Sequence, residues 1–311
     1  MTPSESVQRL MANMEKVFIG KDETVKMAVI SLLANGHLLI EDVPGVGKTL
    51  LARALAKSIN CAFRRIQFTP DLLPSDILGV SIFDSKENRF EFKPGPIFAN
   101  VVLADEINRT TPRTQSSLLE AMNDFQVSVD GVTRKLHLPF IVMATQNPFE
   151  FEGTYPLLES QLDRFLMKVS IGYPGVRDEK QILASQRTAN PIDELQPALT
   201  VDEVLELQAV TKQVRVDESL VDYLLAIIAE TRRSNHLKVG ASPRASLFLL
   251  RAAQARARVE GRDYCIPDDI KRLVAPVLAH RLIPKGRRSA GTDATVLAAL
   301  QEITDAVPVP V

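Results

Sequence analysis

A chain of 311 residues with 45% apolar and 24% charged side chains has room for two cored units and is neither disordered nor collagen-like in composition. Its 37 Lys and Arg against 38 Asp and Glu give a net charge of −1, so no bulk positive field draws it to nucleic acid or an anionic membrane, and neither is an expected partner. Cys61 and Cys265 lie too far apart in sequence for a zinc ribbon or disulfide framework, and neither a signal-peptide core nor an apolar run near the roughly 20 residues of a membrane helix is present, so the expected compartment is the cytoplasm, with no direct membrane insertion.

From about Gly36 to Gly172 short apolar runs alternate with amphipathic stretches, the pattern of a parallel sheet covered by helices. His37 to Ile40 is the first buried-strand candidate. Leu51, Leu55 and Ile59 then recur at i, i+4, i+8 and predict a helix over 49–59. A hairpin is predicted around Phe83 to Phe92, where Phe90 and Phe92 alternate with Arg89, Glu91 and Lys93. Val101 to Ala104 is the second strand candidate. A further hairpin spans Val127 to Leu136, with Asp130–Gly131 supplying the positive φ angles of a tight turn, and Phe140 to Ala144 is the third strand candidate. Both hairpins are expected to project as β-ribbons.

After Tyr173-Pro174-Gly175 the strand signals stop and helical periodicity takes over. The chain therefore divides into an α/β domain over 1–175 and a helical domain over 176–311. Thr200 and Glu203 form a capping box, Asp217 opens a helix to about Arg232, and Ser242–Pro243 starts one that turns Leu247, Leu250 and Ala253 inward. Another begins at Pro267-Asp268-Asp269, whose carboxylates suit the positive end of a helix dipole.

Asp42-Val43-Pro44-Gly45-Val46-Gly47-Lys48-Thr49 has the spacing of a phosphate-binding loop, after an apolar strand and at a helix N-terminus, except that Asp42 stands where glycine is usual. Exposed N–H groups along Pro44 to Leu50 and the helix dipole would cradle phosphates, Lys48 would reach the β- and γ-phosphates, and the Thr49 hydroxyl would bind Mg²⁺. Asp42 is read as tolerated because aspartate visits left-handed backbone at modest cost; the alternative is a weakened loop that binds nucleotide without hydrolysing it. Val101 to Ala104 ends in Asp105, placed to hold the Mg²⁺ shell, and Glu106, placed to orient or deprotonate the attacking water. Asn147 ends the next strand, where an amide would hold that water or contact the γ-phosphate, although Asn147–Pro148 taken alone reads as a turn initiator. His37, His137, His236 and His280 have no metal-ligand spacing.

Taken with Phe68 to Asp76, Ala104 to Arg109, Ala144 to Pro148, Gln161 to Phe165 and Gly240 to Ala245, the block Glu41 to Thr49 resembles the MoxR-type AAA+ ATPases, in the family's order and over nearly the whole chain. The leading Asp42 is similar to variants of that family's loop. The resemblance implies an αβα P-loop core with a parallel sheet and β-hairpin insertions, followed by a C-terminal helical lid. It implies Mg²⁺-dependent ATP hydrolysis in a homo-oligomeric ring, a hexamer, driving chaperone-like remodelling or maturation of a client protein with a von Willebrand factor A domain partner. By the same resemblance Asn147 is the first sensor, Arg164 an arginine finger offered to a neighbouring subunit, and Arg244 a second sensor reaching in from the lid. Phe18, Ile19 and Gly20 correspond to the stretch lining the adenine pocket. Two other readings share these motifs: an assembly scaffold with little hydrolysis, and a DNA-acting AAA+ motor.

Overall fold

The computed structural model describes residues 2–148, 153–186, 190–285 and 292–310. Two helices lead: α1 (Pro3–Glu15), opened by a Thr2–Glu5 capping box, and α2 (Asp22–Leu33). The chain then alternates through β1 (Leu38–Glu41), α3 (Lys48–Ser58), β2 (Phe63–Gln67), α4 (Pro74–Leu78), β3 (Gly79–Asp84), β4 (Arg89–Pro94), β5 (Val101–Asp105), α5 (Pro112–Asp124), β6 (Gln126–Val129), β7 (Val132–Lys135), β8 (Ile141–Gln146), α6 (Glu159–Leu162) and β9 (Met167–Val169).

Five of these strands form one parallel sheet in the order β2-β5-β8-β1-β9. The inner strands β5, β8 and β1 are buried on both faces, which is why each is a continuous apolar run rather than an alternating one. Their register places Glu41 beside Gln146 and Gln67 beside Asp105, so the strands' C-terminal ends share one edge, the position from which α/β sheets present ligands. The edge strands β2 and β9 went unread in the sequence. In β2 only Ile66 is buried, and β9 has three residues, so neither carries a run of apolar side chains.

The two predicted hairpins are present as separate two-stranded sheets, β3–β4 and β6–β7, outside the parallel sheet. Asp130 and Gly131 take φ of 54° and 75°, as a tight turn between right-twisted strands requires. The first ribbon stands out into solvent, with Phe83 and Phe90 packed edge to face at 5.3 Å yet 50% and 72% exposed. The ribbons also touch: Ser81 Oγ donates to Asp130 Oδ2 at 2.5 Å, and the Arg134 guanidinium lies 3.9 Å from the Phe92 ring centre.

The C-terminal part comprises α7 (Val176–Ser185), α8 (Pro191–Glu194), α9 (Val201–Thr211), α10 (Glu218–Arg233), β10 (Leu237–Val239), α11 (Pro243–Val259), α12 (Pro267–Leu278), β11 (Ile283–Pro284) and α13 (Thr292–Ala306). The caps at Thr200, Asp217 and Ser242 form as predicted, each side chain accepting a backbone N–H of the first turn. Two expectations fail. Strands do not stop after Gly175, because β10 and β11 pair antiparallel, though they are too short to leave a period-2 signal. Leu247 faces outward, 44% exposed, because the inward stripe of α11 runs instead through Ala245, Leu249, Ala252 and Val259. The apolar core also crosses the expected boundary at 175: side chains of α1, α2 and α3 share one cluster with those of α9 to α13.

Candidate active site

Gly45 and Gly47 adopt φ of 86° and 96°, and α3 starts at the next residue. A side chain at Gly45 would meet no atom within 4 Å, so glycine is needed there for conformation, not space. The turn leaves the first N–H groups of α3 aimed out of the helix beside Lys48 and Thr49, an anion cradle in form. Lys48 Nζ donates to the Asp42 carbonyl at 2.5 Å.

The structure accommodates Asp42 in a different way from the one the sequence suggested. It is not among the residues with positive φ, so its position never required glycine. The residue is 7% exposed, and its carboxylate accepts from the Val43 N–H at 2.8 Å, Ser170 Oγ at 2.9 Å, the Ile171 N–H at 2.6 Å and the Gly172 N–H at 2.7 Å. Burial pushes the carboxyl toward a higher pKa, but the hydrogen bonds from Gly172, Ser170, Val43 and Ile171 outweigh it and hold it below its ordinary value.

At the end of β5, Asp105 receives Thr145 Oγ1 at 2.6 Å on one oxygen and the Arg65 guanidinium, at 2.5 and 3.0 Å, on the other. Glu106 has a left-handed φ of 57°, a conformation costing a non-glycine residue about 1–2 kcal/mol. Its N–H is held by Thr145 Oγ1 at 2.9 Å, and its carboxylate accepts from Gln67 Nε2 at 2.9 Å and Arg109 Nη1 at 3.3 Å. Arg65, Gln67 and Thr145 were missed in the sequence. The first two alternate on the unread edge strand β2, and Thr145 sits inside an otherwise apolar run.

Asp105, Glu106 and Asn147 face the loop residues Lys48 and Thr49 across a polar cleft of about 810 Å³. Gly45, Gly47 and Leu50 also border a second, more apolar hollow of about 380 Å³, walled by Phe18, Ile19 and Ile182. A polar groove opening into an apolar recess matches a nucleotide, with phosphates in one half and base in the other. Gly20 does not line the recess; it takes φ +74° and lies so close to Asp178 that a side chain would collide with it. Mg²⁺ bound with substrate phosphates needs only one or two protein oxygens, and Thr49 and Asp105 on the same cleft fit that donor set. Among the described residues no group of three or more His, Cys, Asp or Glu offers an all-protein metal cage.

Arg164 and Arg244 do not line this cleft. Arg164 Nη1 donates to the Leu119 carbonyl at 2.6 Å, and Arg244 Nη1 lies 3.6 Å from Asp163 Oδ2. Asp163 is the centre of a cluster not foreseen in the sequence, taking also Ser242 Oγ at 3.3 Å and the buried Arg281 Nε at 3.0 Å. Burial lowers Arg281 to about 10, opposed by its carboxylate partner. The cluster ties the end of α6 to the N-cap of α11.

The profile described as "ATPase family associated with various cellular activities (AAA)" matches residues 37–167, and that of the AAA lid domain matches 229–302. The chain is 50% identical to YeaC of Bacillus subtilis, an uncharacterized protein, over 97% of its own length and 94% of the relative's. It is 41% identical to the chaperone MoxR1 of Mycobacterium tuberculosis, covering 89% of this chain and 76% of that one. A crystal structure of a Cytophaga hutchinsonii protein, described provisionally as an ATPase, superposes with a TM-score of 0.90 at 36% identity, covering 99% of this chain and 96% of the other. A parallel sheet with these strand-end acids, a glycine-bent loop at a helix N-terminus and relatives of this closeness have one reading: the chain belongs to the MoxR family of AAA+ ATPases.

Proposed function

We propose that this ATPase turns over Mg²⁺-ATP in a homo-oligomeric ring, a hexamer, and uses the cycle to remodel or mature a client protein, in concert with a von Willebrand factor A domain partner in the cytoplasm. No helix among the described residues is long and apolar enough to cross a membrane. The unit that turns over substrate is the α/β part, 1–175, and the remainder, 176–311, is the lid.

The observation that carries this reading is the placement of Lys48, Thr49, Asp105, Glu106 and Asn147 around one cleft, while Arg164 lies outside its lining, bonded to the Leu119 carbonyl of α5. Lys48 and the N–H groups of Pro44 to Leu50, proline excepted, bind the phosphates. Thr49 and Asp105 would hold Mg²⁺, which neutralises charge on the phosphate oxygens when bound. Glu106 accepts a proton from the attacking water, and Asn147 orients that water by hydrogen bonding. Gln67 and Arg109 both donate to Glu106 Oε2, which leaves Oε1 to take that proton while Thr145 fixes the backbone. Arg164 and Arg244 have to reach the phosphates from outside the cleft as it stands, the first across a subunit boundary and the second by lid closure. Phosphate release per subunit, measured over protein concentrations spanning assembly, tests the proposal. The rate per subunit rises with assembly; a rate independent of concentration while the oligomer forms contradicts it.

A further inference from the structure

The residue that departs from the loop's usual glycine is bonded to a segment 128 to 130 positions away. One oxygen of Asp42 collects donors from three consecutive residues, Ser170, Ile171 and Gly172, just after β9. That segment runs through Tyr173 and Pro174 into α7, and Gly172, Tyr173 and Ile182 all border the apolar recess. A second tie holds the same stretch, Lys21 Nζ donating to the Tyr173 carbonyl at 2.8 Å. On its other side, the Asp42 peptide accepts Lys48 Nζ through its carbonyl, and the second carboxylate oxygen fixes the following N–H of Val43. A single buried residue therefore grips both the peptide on which the phosphate lysine rests and the segment that carries the base-side helix. Phosphate drawing Lys48 toward itself removes a charged donor from that peptide, and any reorientation of it is felt directly by the 170–172 backbone. A glycine at 42 would transmit nothing and would leave the Ile171 N–H in a buried place without its acceptor.

We infer that Asp42 is a positioning residue that couples the phosphate half of the nucleotide site to its base half, through Ser170, Ile171 and Gly172. The inference rests on the nucleotide reading of the cleft. Its test separates the two halves on the full chain, with inorganic tripolyphosphate as the phosphate-only ligand and a fluorescent adenosine as the base-only ligand. In the parent, saturating tripolyphosphate tightens adenosine about tenfold, within the usual range of coupling between sites, and slows amide exchange across 170–186. Asp42→Asn and Ser170→Ala, each at tripolyphosphate saturating for that variant, reduce the tightening below twofold and lose the protection. A merely structural role would weaken both ligands and lower the melting temperature without changing the ratio. Ser170→Ala removes one hydroxyl donor and leaves the buried N–H groups paired, so it reports even where Asp42→Asn folds poorly. If the parent binds neither ligand, the nucleotide reading falls and the inference with it. If the parent binds both independently, or the variants keep the full tightening, the nucleotide reading stands and the coupling is wrong.

Discussion

In the proposed mechanism Lys48 and Glu106 have separable jobs, which two substitutions distinguish. Lys48→Ala removes the ammonium aimed at the phosphates, and nucleotide affinity falls by at least tenfold in a fluorescent-nucleotide titration. Glu106→Gln keeps the shape and the Gln67 and Arg109 neighbourhood but removes the base, so affinity stays within a few-fold while phosphate release drops about 10²–10⁴-fold. Normal turnover in Glu106→Gln would take Glu106 out of that role. Asp42 adds a pH signature. Its folded pKa lies below the ordinary aspartate value of 3.8, so the stability it contributes is present in full above that value and is lost as pH falls through the folded pKa. Asp42→Asn should then be less stable than the parent at pH 7 by about 1–3 kcal/mol, a gap that closes below pH ~3.8 in urea titrations. A gap of constant size across that range would mean that the charge contributes nothing. The loop, the two acids and Asn147 were legible because each follows an apolar strand at a fixed place. The reason for Asp42 was not, since a carboxylate whose donors lie far along the chain leaves no local trace. Arg281 was hidden likewise, a buried cation made tolerable by Asp163.

Among the elements, those with strong periodicity were readable and those with little burial or little length were not. The hairpins announce themselves by alternation, whereas β2, with a single buried side chain, and the short β10 and β11 do not. In α11 the alanines at 252, 253, 255 and 257 blur the phase of the apolar stripe, which is how Leu247 came to be turned the wrong way. One histidine to which the sequence assigned nothing holds elements together. His37, just before β1, bonds through Nε2 with the Met122 carbonyl of α5 at 2.8 Å and accepts the Val142 N–H of β8 on Nδ1 at 3.0 Å. Burial lowers it to about 4, only partly opposed by the Met122 carbonyl. The folded state therefore resists a proton that the unfolded chain takes up near 6.5, and stability falls as pH drops from there toward 4, by on the order of 3 kcal/mol. His37→Gln keeps one donor and one acceptor but does not titrate. Its stability relative to the parent should improve steadily between pH 7 and 4, and a parallel decline of both proteins would remove His37 as a source of acid sensitivity.

At the scale of the whole molecule, the arrangement is of a cleft that holds the phosphate loop, both acids and Asn147 but neither of the arginines that the family resemblance assigns to catalysis. Arg244 is held by Asp163 beside the N-cap of α11, so lid movement and the Asp163 cluster have to change together for it to act in its own subunit. Arg164, one residue on from Asp163, is anchored to the Leu119 carbonyl of α5, and in the proposed ring it serves a neighbouring subunit. The sequence pointed to these arginines only through the order of the motifs, because side chains outside the cleft leave no spacing pattern with it. The shared core of α1 and α2 with the C-terminal helices was equally invisible, since it joins segments from opposite ends of the chain. An arginine finger contributes about 10³–10⁵ in rate, so its removal is measurable even in a slow enzyme. The most direct measurement is phosphate release from mixtures of Arg164→Ala and Lys48→Ala subunits, with mass photometry showing that the two co-assemble. Each variant alone is slow, and the account predicts that mixed oligomers exceed the sum of the separate rates severalfold, because Lys48→Ala subunits lend an intact Arg164 to neighbouring pockets that still bind ATP. Mixed oligomers that form and yet release phosphate only at the sum of the separate rates would contradict it.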